Sequence, residues 1–187
     1  AEGGAAYYEV NNGSWTKIDV NDPKIAPQGY LIYTNHSYTG RLDDGMGYVR
    51  YTNADKIMKE QIGRNGAITP KWIFQNLSRT FYHSILGVDL NKDKEFVAKC
   101  NGWFMDQDFI PRKSTSCSIV VEGVKKGENP ANTVMWTILG YAPIGVAVPL
   151  MVANGENIPS FMTAEGTENA KMCDWVLENK KDRKSVV

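Results

Sequence analysis

Aromatic and β-branched residues open the chain in two short runs, Ala5 to Val10 and Trp15 to Val20, separated by Asn11, Asn12, Gly13 and Ser14. Asn-Gly accepts the positive φ of a tight turn, so this pattern predicts a β-hairpin. Asp22 to Gly29 carries Pro23 and Pro27 and predicts a connecting loop. The apolar run Tyr30 to Thr34 then predicts a third strand that delivers Asn35 and His36 to its end. Arg41 to Gly47 is a glycine- and aspartate-rich loop.

From about Tyr48 the period lengthens. Tyr51, Ala54, Met58 and Ile62 fall on one helical face, and Gly63 and Gly66 end the pattern. Thr69 followed by Pro70 combines an N-cap hydroxyl with a proline in the first turn, which predicts a second helix through Ser78 or beyond. Leu90 to Arg112 is irregular. Three strand candidates follow, Thr115 to Val121, Thr133 to Leu139 and Gly145 to Val152, spaced closely enough to predict an antiparallel meander. Pro149 puts the last at an edge or a bulge. Thr163 to Lys181 predicts a final helix with Ala170, Cys173 and Leu177 on one face and a basic end at Lys180 to Lys184. Strands, helices, strands and a helix in that order predict an α+β fold, compatible with a four-layer helix, sheet, sheet, helix sandwich of largely antiparallel sheets.

At 187 residues, the chain has the length of one domain or of the C-terminal portion of one. Its 21 basic residues balance 21 acidic ones, which removes the electrostatic reason to expect a nucleic acid partner. The longest apolar stretch, Tyr141 to Ala153, is interrupted by Pro143, Gly145 and Pro149 and falls short of the ~20 residues that span a bilayer. The chain opens on Ala1 with structured sequence close behind it, so we expect a processed or truncated product, or one stripped of a leader. Composition leaves the compartment open.

The three cysteines, Cys100, Cys117 and Cys173, have no metal-site spacing. Cys117 alternates with Ile119 and Val121, which predicts a small buried core residue rather than an activated thiolate, and Cys173 repeats that logic on a helix. His36 and His83 are the only histidines; His83 follows Phe81 and Tyr82 and is expected to be a packed or surface residue of a helix end, whereas His36 sits beside Asn35 at the strand end. Asp43 and Asp44 are explained by turn formation, and Asp106 and Asp108 have no third ligand nearby in sequence. Neither a phosphate-binding loop nor a dinucleotide glycine fingerprint is present. By residue type alone, Asn35 reads as a turn residue and Arg50 as a surface charge opening a helix.

Four segments taken in order change that reading: the TNH string at the strand end, GYVRYTNADKIM around Arg50, IPRKSTSCSIVVEGV, and TVMWTILGYAPIGVAVPLMV. Together they resemble the N-terminal nucleophile hydrolases, in the linear-amide branch that includes choloylglycine hydrolases, penicillin V acylases and acyl-coenzyme A:6-aminopenicillanic acid acyltransferases, with the acyltransferase-like group nearer. The likeness runs from the AAYYEV hairpin to the ENAKMCDWVLENK helix. It implies an αββα sandwich, no cofactor, and an N-terminal cysteine exposed by self-cleavage that attacks a small-molecule amide or acyl donor and forms an acyl-enzyme.

By the same resemblance, Asn35 supplies an oxyanion donor, Arg50 is a cation that favours the thiolate, and His36 and Tyr48 contact substrate. The nucleophile and its neighbouring aspartate lie well upstream of the TNH segment in that family, and no cysteine here is in a matching place. The resemblance therefore implies an N-terminal segment or companion chain that carries the cysteine, with the isolated chain inactive. The competing expectation is a noncatalytic binding or structural module that keeps the sandwich without a nucleophile.

Overall fold

The Asn-Gly hairpin forms with the turn its sequence demands. Strands β1 (Tyr7–Asn11) and β2 (Ser14–Ile18) pair antiparallel, with Asn11 opposite Ser14. Asn12 and Gly13 both take positive φ, 49° and 79°, as a two-residue hairpin turn of the primed type requires. The computed structural model describes residues 7–35, 47–99 and 105–182. His36, most of the predicted loop from Arg41 to Gly47 including Asp43 and Asp44, and Cys100 lie outside the described residues.

Tyr30 to Thr34 has no regular secondary structure and belongs to no sheet among the described residues, contrary to the expected third strand. It runs instead beside α1 (Tyr48–Gly63). Tyr30 Oη donates to Asp55 Oδ1 at 2.8 Å, and Thr34 Oγ1 donates to the Gly47 carbonyl at 2.8 Å. Four steps of chain reach at most about 13 Å, and the eight helical steps from 47 to 55 cover about 12 Å. The two segments therefore stay in step, and side-chain bonds to the helix replace a strand ladder.

Thr69 caps α2 (Pro70–Ile73), its hydroxyl accepting the Trp72 N–H at 3.1 Å, and the helix continues as a π turn over Phe74–Ser78. A short hairpin, β3 (Tyr82–His83) with β4 (Val88–Asp89), and the helix α3 (Lys94–Lys99) follow. Part of this lies in the stretch expected to be irregular. Phe81, Leu90 and Phe109 are buried together there, with Val88, Phe96, Val97 and Tyr141 against them.

The meander appears as β5 (Cys117–Glu122), β6 (Val134–Leu139) and β7 (Val148–Met151), in that spatial order and antiparallel throughout. Pro149 is on the edge strand, where its missing N–H costs no central ladder bond. The register puts Val120, Trp136 and Ile138 on one face, and the π turn covers it: Phe74, Ile138 and Ala142 are buried, with Val120, Trp136 and Ala147 packed beside them.

Cys117, Ile119 and Val121 occupy the opposite face and are exposed, so the expectation of a buried Cys117 is corrected. Alternation identified which residues share a face; the helical segment covered the other one. Thr137 belongs to this second face, opposite Ile119 and Val148. It is only 4% exposed, and its hydroxyl has no hydrogen-bond partner among the described residues.

The last helix, α4 (Lys171–Asp182), is shorter than its pattern suggested and is preceded by a 3-10 turn at Ser160–Met162. Its deepest contact is Val176, 1% exposed, while Leu177 is 46% exposed. Gly140 receives Val176: a Cβ there would lie 2.7 Å from Val176 Cγ1, and φ of +81° independently favours glycine. The described residues thus form an α+β arrangement of helices with three small antiparallel sheets, and none of their helices is long and apolar enough to cross a membrane.

Candidate functional site

The first two turns of α1 carry the polar centre of the molecule. Arg50 is 7% exposed and Asn53 is fully buried, whereas Tyr51, Ala54 and Met58, on the expected apolar face, are half-buried and Ile62 is exposed. Positions three apart on a helix share a face, so Arg50 and Asn53 point to the same neighbours. Arg50 is therefore not the surface charge that its residue type suggested.

Its guanidinium joins two segments that are distant in sequence. Nη2 donates to Asn35 Oδ1, and Nη1 donates to the Gln107 carbonyl in the 3-10 turn Asp106–Asp108. Asn53 Nδ2 donates to the Asp108 carbonyl at 3.0 Å, while its Oδ1 accepts the Ser84 N–H at 2.6 Å. One face of α1 thus holds the chain at residues 35, 84, 107 and 108. Arg112 Nη1 donates to Gln107 Oε1 at 3.2 Å, which adds a second guanidinium to the same turn.

Burial is the largest cause of a lowered Arg50 pKa, the charge of Arg112 lowers it further, and Asp108 opposes both. An arginine stays charged under such pressure. The result is a buried cation whose bonds reach an exposed amide, Asn35. A guanidinium only donates, so Asn35 presents its carbonyl oxygen to Arg50 and directs its NH₂ group elsewhere. Chemically, this arrangement offers a positioned N–H donor next to positive charge, which suits an oxyanion or a thiolate.

Of the four expected site residues, Asn35 and Arg50 are in direct contact. Tyr48 opens α1 one turn before Tyr51 and is half-buried, and His36 lies outside the described residues. His83, expected to be a packed or surface residue of a helix end, is instead buried in the strand β3, whose pairing with β4 replaces the helix. Its Nδ1 accepts the Leu86 N–H at 3.3 Å, which places the proton on Nε2, 3.6 Å from Asp108 Oδ2. Asp108 thus touches the Arg50 region through its backbone and His83 through its side chain. Asp106 accepts the Lys113 N–H, a turn-closing role.

Asn53, Gln107 and Arg112 were not singled out from the sequence. Asn53 had a legible signal, an amide three residues after Arg50 on a helix; Gln107 contributes a backbone carbonyl, which no residue type announces. A scan of protein-family models, a search of curated proteins and a search of solved structures each find no match to the chain.

Proposed function

We propose that the chain is the C-terminal portion of a cysteine N-terminal nucleophile amidohydrolase or acyltransferase that acts on linear amide C–N bonds through an acyl-enzyme. The cysteine comes from an N-terminal segment or a companion chain. The observation that carries this reading is the Arg50 to Asn35 hydrogen bond. It engages the Asn35 carbonyl oxygen and leaves the NH₂ group as the donor end, and a preorganised donor is effective because it is oriented before charge develops.

In each half of the reaction, attack on a carbonyl produces a tetrahedral oxyanion. Asn35 Nδ2–H stabilises that oxygen, and the Arg50 charge favours the thiolate over the thiol. His36 and Tyr48 contact the substrate, and no cofactor is needed. The same reading assigns the chain to a four-layer αββα sandwich. The exposed apolar side chains Ile119 and Val121 on one face of the β5–β7 sheet, with the buried Thr137 hydroxyl on the same face that finds no partner among the described residues, support a further layer over that face.

The test is reconstitution. Adding the nucleophile-bearing segment is expected to produce amidase activity on linear amides, and Asn35→Ala is expected to lower turnover by ~10²- to 10³-fold with KM little changed. Wild-type turnover in that variant would sink the oxyanion assignment. If the gene encodes no upstream cysteine after a cleavable residue, a noncatalytic module is the correct reading.

A further inference from the structure

A cavity of about 300 Å³ lies between the α2–π-turn segment and the helix-covered face of the β5–β7 sheet. This is at the lower end of the ~300–1,000 Å³ range of small-molecule sites. Neither Asn35 nor Arg50 lines it. Its apolar wall includes Phe74, Trp136 and Ala147, and its charged groups are Lys71, Arg79 and Glu122.

These charges are not equivalent. Glu122 Oε2 accepts the indole N–H of Trp136 at 3.1 Å, which fixes the ring as a wall. Arg79, immediately after the π turn, is held by backbone carbonyls: Nε donates to Ala142 at 2.9 Å and Nη2 to Gly145 at 2.8 Å. Carbonyls orient a guanidinium without neutralising it, and the fork keeps further N–H groups beyond those two bonds. With Lys71 also at the cavity, the balance is one positive charge in excess. A π turn often marks a functional site in a helix.

We propose that this cavity binds a small monocarboxylate with an aryl or alkyl body. The body lies against Trp136, Phe74 and Ala147, and the carboxylate pairs with the Arg79 guanidinium. The apolar wall disfavours a phosphate, which has no body to bury there, and the excess positive charge disfavours an amine. The site needs no nucleophile, so it stands independently of the amidohydrolase reading.

The experiment is calorimetric titration of the 187-residue chain with phenylacetate, phenylacetamide and phenethylamine, which share a body and differ in charge. Phenylacetate is expected to bind about tenfold or more tighter than phenylacetamide, and phenethylamine weakest, because a charged hydrogen-bond pair is lost in each case. Ala147→Leu, which fills the apolar end, is expected to abolish binding of phenylacetate. Arg79→Gln is expected to bring the acid and the amide within about threefold of each other. Equal affinity for the three probes, binding of none of them, or undiminished binding in Ala147→Leu would overturn the proposal. Arg79 also supports two carbonyls, so if its variant misfolds, the three-probe comparison on the wild-type chain still decides.

Discussion

Arg50 holds Asn35 by its carbonyl oxygen, and this single bond determines which half of the amide is available to anything outside. Without it, an exposed asparagine can present either its oxygen or its NH₂ group. With it, the donor end is preset, and the guanidinium that presets it is itself anchored on the Gln107 carbonyl.

Arg50→Lys tests that coupling. Lysine retains a positive charge but lacks the planar fork that reaches both Asn35 and Gln107. Under the proposed amidohydrolase function, we expect turnover after reconstitution to fall by about 10²-fold with KM little changed, approaching the effect of losing the donor itself. Steady-state kinetics on a linear amide provide the measurement; full turnover in Arg50→Lys would show that charge alone suffices and that the orientation of Asn35 is irrelevant.

Asn53 is a structural counterpart. It is fully buried and satisfies both the Asp108 carbonyl and the Ser84 N–H. Asn53→Ala leaves both groups unsatisfied in the interior, so we expect a loss of about 2 to 3 kcal/mol in urea unfolding. Asn53→Asp keeps the acceptor for Ser84 but removes the donor to Asp108 and buries a charge, and is expected to be no better tolerated. A change below about 0.5 kcal/mol in Asn53→Ala would show that the turn at 106–108 is held without it.

Tyr141 gives the fold a pH signature. Burial, reinforced by the charge of Asp106, pushes its phenol up to about 12, and the Lys180 ammonium lies 4.5 Å from the ring centroid. The folded pKa is above the unfolded value near 10, so folding favours the protonated phenol. That contribution is fully present below pH ~10 and is lost as pH rises towards about 12. Tyr141→Phe is expected to flatten this part of the stability profile and to remove one late step from the ultraviolet tyrosinate titration. An identical alkaline profile in wild type and variant would contradict it.

Short-range chemistry was enough for much of the chain. Asn12-Gly13 specified a hairpin, Thr69-Pro70 a helix start, and the alternation of β5 and β6 a meander with Pro149 at its edge. Each depends on backbone preferences that act over a few residues. The resemblance named Asn35 and Arg50 together, but no local signal did, because amide and guanidinium are ordinary residues at a turn and a helix start.

Long-range packing decided what remained. An apolar run such as Tyr30 to Thr34 has no intrinsic partner, and here side-chain bonds to α1 took the place of a ladder. Cys117 and Val120 are equally suited to a strand, yet the π turn packs on the face of Val120, while Cys117, Ile119 and Val121 on the other face are exposed. The pattern on α1 pointed to its apolar side, while the deepest positions are Arg50 and Asn53, since their hydrogen bonds to residues 35, 84, 107 and 108 offset the cost of burying them. Those partners lie up to 57 positions away in the chain, and only tertiary contact brings them together.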